Sequence, residues 1–155
     1  MIQIEDYIVR PYAESGMTFE ALAEAVGELS GLLPEGPLAE QGVDVRTYTE
    51  KIVAFGYVDL VLAPDRRIVG LNAYYANDCE KRVAFSSVLV LRPEVVAKAI
   101  ILIRRALRNA KAQGMREFRL KVAQSNRRAI RLYERFGFTV CGETGGKFEM
   151  SKDLA

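Results

Sequence analysis

The run from Asn126 to Phe138, Asn-Arg-Arg-Ala-Ile-Arg-Leu-Tyr-Glu-Arg-Phe-Gly-Phe, is the part of this sequence whose residue types and spacing could do chemistry. Asn126 stands where a helix cap belongs, with a side-chain oxygen able to accept from the free N–H groups of the first turn. Ala129, Ile130 and Tyr133 follow at i+3, i+4 and i+7 and share one helical face. Gly137 ends the helix and Phe138 returns the chain to extended structure. This spacing puts a phenol on the buried side of a short amphipathic helix. A core tyrosine and a positioned proton donor are both open readings.

Composition narrows what proton chemistry is available. The 155 residues include no histidine, which excludes Ser-His-Asp and Cys-His nucleophile systems, His-ligated zinc and imidazole acid–base catalysis. Any proton transfer must use carboxylates, tyrosines, lysines, thiols or water. Cys79 and Cys141 lie 62 residues apart with no CxxC, so neither a zinc ribbon nor a redox pair is encoded, and no metal is expected.

The elements that must position these residues can be read from periodicity. Tyr7–Arg10 is a short strand ended by Pro11. Thr18–Leu33 reads as a helix with a stripe of Ala21, Leu22, Ala25, Val26, Leu29 and Leu32, stopped by Pro34. A Pro/Gly-rich loop follows, and Asp44 caps a second helix that runs to Phe55. Tyr57–Leu62, Ile68–Tyr75 and Val83–Leu91 read as three strands in an antiparallel meander. Pro93 opens a long helix at its first turn, with Val96, Ala99, Ile100, Ile103, Leu107 and Ala110 as the buried stripe and Arg104, Arg105, Arg108 and Lys111 mostly outside. Gly114 ends it. Phe118–Val122 is a strand parallel to Val83–Leu91, Asn126–Phe136 a helix, and Phe148–Ser151 a last strand. The expected fold is a single α/β (α+β) domain over residues 1–155, with a mixed, mostly antiparallel sheet of six to seven strands flanked by helices.

Charge is unevenly spread. Residues 1–65 carry three basic and twelve acidic side chains, and residues 98–135 carry twelve basic and two acidic ones. A near-neutral total made of opposed halves suits an anionic ligand on one side and a cationic one on the other. A solvated helix face is the plainer reading.

The pattern N-x-x-A-x-x-L-Y-x-x-x-G-F over 126–138 resembles the C-terminal part of the GCN5-related N-acetyltransferase (GNAT) superfamily. The element order from Tyr57 to Leu154 and the Glu149-Met-Ser-Lys ending resemble it too, and the two-helix N-terminal segment does so more weakly. The resemblance implies an acetyl-CoA-dependent N-acetyltransferase that acylates the amine of a small molecule of amino sugar or amino acid type. It implies that Asn126 lies beside the pantetheine arm and that the Tyr133 hydroxyl protonates the departing thiolate. A phenol of pKa about 10 is a suitable acid for a thiol of pKa about 8.5. Leu89 and Leu91, on the strand before the long helix, would contact the cofactor through their main chain.

One departure stands out. The family's pyrophosphate loop reads R/Q-x-x-G-x-G/A after a proline, whereas this chain has Pro93-Glu-Val-Val-Ala-Lys-Ala-Ile-Ile, with no glycine from Leu71 to Gln113. Aligned from Pro93, Val96 takes the basic position, Ala97 and Ala99 miss the glycines, and Ile101 takes the last small site. Aligned back from Gly114, the loop is about two residues short and Ala97 and Ala99 stand for the paired small residues; this register keeps the helix stripe in phase. Either way the helix start is expected to aim N–H groups at the diphosphate, with Lys98 supplying charge and Glu94 opposing it. Arg127, Arg128 and Arg131 are candidates for the nucleotide phosphates.

The general base is open among Asp78, Glu80, Glu143 and water, and Tyr74, Tyr75, Asp78 and Glu80 are candidates for the acceptor site. The alternatives are a non-catalytic or cofactor-altered protein of the same fold that binds acyl-CoA weakly or not at all, and a nucleic-acid-binding module on the basic segment. The latter lacks a recognised motif and an aromatic-studded basic strand. No targeting segment or membrane span is read, the longest strongly apolar stretch being Ala99–Ile103. A cytoplasmic protein with reduced cysteines and no membrane partner is expected, and a homodimer is compatible with the sequence.

Overall fold

The computed structural model describes residues 2–155. In chain order the elements are β1 (Ile8–Pro11), α1 (Tyr12–Ser15), α2 (Phe19–Ser30), α3 (Val45–Phe55), β2 (Tyr57–Leu62), β3 (Ile68–Tyr75), β4 (Val83–Leu91), α4 (Ala99–Ala112), β5 (Glu117–Ala123), α5 (Arg127–Arg135), β6 (Thr139–Thr144) and β7 (Lys147–Asp153). The seven strands form one sheet in the order β1-β2-β3-β4-β5-β7-β6. Only β4 and β5 are parallel; every other neighbouring pair is antiparallel. This is the mixed sheet the sequence implies.

Local chemistry explains the helix ends. Thr18 accepts from the Ala21 N–H at 3.1 Å and Asp44 from the Thr47 N–H at 3.4 Å, so both N-caps stand where the sequence puts them. The Thr47 hydroxyl and N–H together hold the Asp44 carboxyl below the usual carboxylate range. Along β2 the side chains alternate: Leu60 and Leu62 join a core with Leu22, Val26, Leu29 and Ile52 of α2 and α3, while Val61 packs with Val95 and Leu102. A further cluster binds α4 and α5 to β5 and β7 through Ile103, Ala106, Phe118, Leu120, Tyr133 and Met150.

Several expectations are corrected. The helix opened by Pro93 is not continuous: Pro93–Lys98 is a 3₁₀ segment with Val95 at φ −121°, ψ 16°, and the α-helix begins at Ala99. Ala99, Ile103 and Ala110 of its predicted stripe are buried and are joined by Leu102 and Ala106, whereas Val96 and Leu107 are half-buried and Ile100 is 40% exposed. Arg105 is not simply outside, because its Nε and Nη2 each donate to the Asp59 carboxylate at 3.1 Å. The strand β6 and the short helix α1 have no counterpart in the sequence reading. Tyr12-Ala-Glu-Ser is too short for periodicity to register, and Thr139–Thr144 lies on a sheet edge where five of six residues are exposed.

Candidate active site

β4 and β5 pair only over Val83–Phe85 and Glu117–Arg119. Beyond that point the strands part, and β4 keeps its pairing with β3 up to Leu91. The β3–β4 register slips between Ala73 and Tyr74, opposite Ser86–Val88, and leaves Ser87 as an extra residue. A bulge of this kind bends its strand and sharpens the twist, and it sits where β4 leaves β5. The Ser87 hydroxyl is tied to the Tyr48 hydroxyl of α3 at 2.6 Å, which pins the bulge from above.

The gap opens a cleft of about 330 Å³ whose walls are Ser86–Leu91 of β4, Lys121–Ala123 of β5 and one face of α5. Parted strands leave one edge of the β4 main chain facing the cleft instead of a neighbour, and such an edge pairs with an extended, amide-bearing ligand as with a further strand. On the α5 side the cleft is lined by Asn126, Ala129, Leu132 and Tyr133. The Asn126 Oδ1 accepts from the Ala129 N–H at 3.3 Å, closing the first turn.

Tyr133 owes its position to the other end of the same helix. Phe138 N–H donates to the Tyr133 carbonyl at 3.1 Å and Gly137 N–H to the Glu134 carbonyl at 2.9 Å, with Gly137 at φ +94°. These two bonds form a Schellman cap, and its usual apolar contact falls between Tyr133 and Phe138, whose ring centroids are 5.5 Å apart. The tyrosine is 9% exposed. Among the described residues nothing hydrogen-bonds its hydroxyl, and burial pushes that phenol well above its ordinary pKa. The group therefore keeps its proton at physiological pH, and it stands on a cleft wall.

Of the residues predicted from sequence, Leu89, Leu91, Ala99, Asn126 and Tyr133 line this one cleft, whereas Ala97 and Lys98 do not. The acceptor candidates are elsewhere. Tyr74 is buried between Tyr57 and Phe118 and faces a separate cavity of about 450 Å³ between β2 and α4. There its hydroxyl accepts from Asn109 at 2.9 Å, and burial pushes its pKa up to about 12. Tyr75 packs against the α2–α3 core. Asp78 is turned back onto the N–H groups of Glu80 and Lys81 in the exposed β3–β4 turn. Neither it nor Glu80 or Glu143 reaches the cleft.

The residues that do close the far end come from the Pro/Gly-rich segment between α2 and α3. Leu33, Glu35, Leu38 and Gln41 lie on the wall, and Glu35 is paired with Lys147 of β7 at 3.2 Å. Glu35 is the cleft's one carboxylate among the described residues. Sequence spacing gave no signal for it, because a pair separated by most of the chain appears only once the sheet is assembled. Of the arginine cluster, Arg128 lines the cleft, and Arg127 and Arg131 are exposed on α5 outside it.

The start of α4 differs from expectation. Pro93 has no N–H, the Val95 N–H donates to the Arg92 carbonyl at 3.0 Å, and the Ala99 N–H donates to Val96. The 3₁₀ segment thus takes up amides that a bare helix start would offer to an anion. Val96 and Ala99 face the cleft, and Ala97 is exposed. The residues present fit a flexible pantetheine thioester arm along β4 and α5, and do not fit a diphosphate held by main-chain amides at this turn. No group of three or more His, Cys, Asp or Glu side chains is placed to hold a metal ion, and no helix is long and apolar enough to cross a membrane, among the described residues. Cys79 and Cys141 are free and exposed.

Comparison with known proteins agrees with this geometry. The fold is shared with a spermidine N-acetyltransferase of Vibrio cholerae (18% identity over 97% of this chain and 95% of that one, TM-score 0.69). It is shared also with a GNAT-family acetyltransferase of Streptococcus pneumoniae (18%, 96% and 99%, 0.69). A third relative by structure is the PaiA N-acetyltransferase of Thermoplasma acidophilum, solved with coenzyme A (20%, 95% and 98%, 0.64). No curated protein sequence matches significantly. The model of the acetyltransferase (GNAT) family matches residues 47–138, more than half of the chain. The chain therefore belongs to the GNAT family of acetyltransferases, enzymes that carry an acyl group from a coenzyme A thioester to an amine.

Proposed function

We propose that this protein transfers an acetyl group from a pantetheine thioester, with acetyl-CoA as the donor its family implies, to the amine of a small molecule. The observation that carries the reading is the convergence on one cleft of an unpaired β4 edge, the Asn126 cap and the hydroxyl of Tyr133, which has no protein partner. When bound, the donor supplies an acyl carbon activated by its thioester sulfur. The β4 main chain beside Leu89 and Leu91 orients the arm, and an N–H on that edge supports the carbonyl oxygen as charge develops on it. The amine attacks uncharged: its C–N bond forms, the C–S bond breaks, Tyr133 gives its proton to the departing sulfur, and the amine proton leaves to water. The phenol is re-protonated from solvent in the next cycle.

The acceptor end favours a monoamine. A polycation needs several carboxylates, and the wall here has Glu35 alone, already paired with Lys147. Leu33 and Leu38 suit an apolar body, and Lys147 suits an acceptor carboxylate, as in an amino acid. The test is turnover with acetyl-pantetheine at millimolar concentration against amino acids, amino sugars and polyamines. Transfer to a monoamine is expected. Transfer confined to polyamines contradicts the acceptor reading, and no transfer to any amine contradicts the enzyme reading.

A further inference from the structure

A second, smaller cavity adjoins the cleft beneath α4. It measures about 20 Å³ and shares Ser86, Leu89 and Tyr133 with the cleft. Its other walls are apolar side chains, among them Ile103, Leu107 and Phe118, apart from Asn72 of β3. A space of this size holds one water-sized group, for which about 10–15 Å³ is needed, and little more.

Asn72 belongs to a row of polar residues on one face of the sheet. Its register partner on β2 is Asp59 and its partner on β4 is Leu89, so the three side chains share the face that α4 covers. Asp59 is held there by Arg105, and Tyr74, two residues along β3, by Asn109. Asn72 is 4% exposed, and among the described residues no protein group hydrogen-bonds its side chain. Leaving a buried amide unpaired is costly, and the cavity is the space that its donor and acceptor face.

The reaction proposed above sets the thioester sulfur by Tyr133 and the carbonyl beside the Leu89 main chain, so the acyl carbon stands between two residues that also wall this cavity. We infer that the cavity receives the far end of the acyl group and that Asn72 reads it: the donor carries a two-carbon acyl, acetyl or its 2-hydroxy derivative, and apolar lengthening is refused. The inference rests on the acyl-transfer reading and adds acyl specificity to it. With acetyl, a water fills the space and bonds the Asn72 amide. With 2-hydroxyacetyl, the hydroxyl takes that water's place. The end methyl of propionyl is close in size to the hydroxyl, but it displaces the water and leaves the amide unpaired. A butyryl chain exceeds the space. In each case the C–S bond breaks and the amide forms as before, and the substituent on the second carbon takes no part in the exchange.

The experiment measures kcat/KM for acetyl-, 2-hydroxyacetyl-, propionyl- and butyryl-pantetheine with the amine that acetyl-pantetheine acylates fastest. It uses the wild-type chain, Asn72→Ala and Leu107→Ala, each checked by its melting temperature. Wild type is expected to take acetyl and 2-hydroxyacetyl within about threefold of one another and propionyl about tenfold or more worse, with butyryl lower still. Asn72→Ala removes the amide and should erase the preference for hydroxyl over methyl. Leu107 is half-buried on the cavity wall. Its replacement by alanine enlarges the space without touching the amide, so it should raise butyryl turnover about tenfold and keep the preference for the hydroxyl. 2-Hydroxyacetyl no better than propionyl in wild type overturns the inference, as does a preference that survives Asn72→Ala. Should Asn72→Ala not fold, the wild-type order and the Leu107→Ala response still decide, and butyryl unmoved in that variant overturns it. Acetyl transfer leaves the enzyme reading standing throughout. If no thioester is turned over with any amine, that reading falls and the inference with it.

Discussion

The α5 end of the cleft and the turn after Pro93 obey different rules. At the first, cap, helix face, Schellman turn and strand divergence all serve one geometry: Asn126 sets the start of α5, Gly137 its end, and the two together aim Tyr133 into the gap that the β4 bulge opens. At the second, a segment that would present free amides has become a 3₁₀ turn with its own internal bonds, packed down by the fully buried Val95. The chemistry of bond exchange needs the first end intact. Retaining the donor's far end is a separate task, and a fold can lose that grip without touching the reacting atoms.

The largest effect should come from Tyr133→Phe. Loss of a positioned general acid lowers kcat by about 10²-fold or more, while the ring contact with Phe138 and hence the melting temperature stay close to wild type. A variant that keeps its rate would show that sulfur leaves without this proton and would break the comparison at its stronger end. Rebuilding the weaker end is the complementary change. Val96→Arg/Ala97→Gly/Ala99→Gly should tighten coenzyme A by about tenfold in calorimetry, equivalent to about 1.4 kcal/mol. Each glycine should cost about 0.5–1 kcal/mol of stability in denaturant melts. Asn126→Ala removes the cap that joins β5 to α5 and should lower stability by about 1 kcal/mol.

The smallest effect concerns pH. Burial disfavours the phenolate, so Tyr133 stays protonated past the ordinary tyrosine range and contributes no falling alkaline limb. With the α-amine of a short peptide as probe acceptor, kcat/KM should rise through about pH 7.7–8.0 as the amine loses its proton and then hold level to about pH 10. A decline beginning near pH 9 would assign the acid to a group with an unshifted pKa.

Much of the fold was legible because its signals are local. Thr18 and Asp44 are caps wherever the chain goes, and Leu60–Leu62 alternate because strands have period two. The α5 end of the site was legible for the same reason, since Asn126, Tyr133, Gly137 and Phe138 lie within one helix and its exit. The acceptor wall was not. Glu35 and Lys147 meet across the sheet, and Tyr74 and Tyr75 alternate to opposite faces of β3 as any strand neighbours do, but which face meets the cleft is decided only by what packs on each. The missing glycines were plain, but their consequence was not. Alanines and valines after Pro93 permit a longer α-helix as readily as a 3₁₀ turn, and the burial of Val95 against Val61, Val69 and Leu102 decides between them.

The most direct test of the account is a pair of calorimetric titrations, 4′-phosphopantetheine and coenzyme A into the same protein at one moderate ionic strength. Dissociation constants within about threefold of one another are expected, since the Val95 and Ala99 amides of the turn after Pro93 are bonded internally and a factor of three is under about 1 kcal/mol. Coenzyme A binding about tenfold or more tightly than 4′-phosphopantetheine would show that the turn after Pro93 holds a diphosphate after all, and would contradict it.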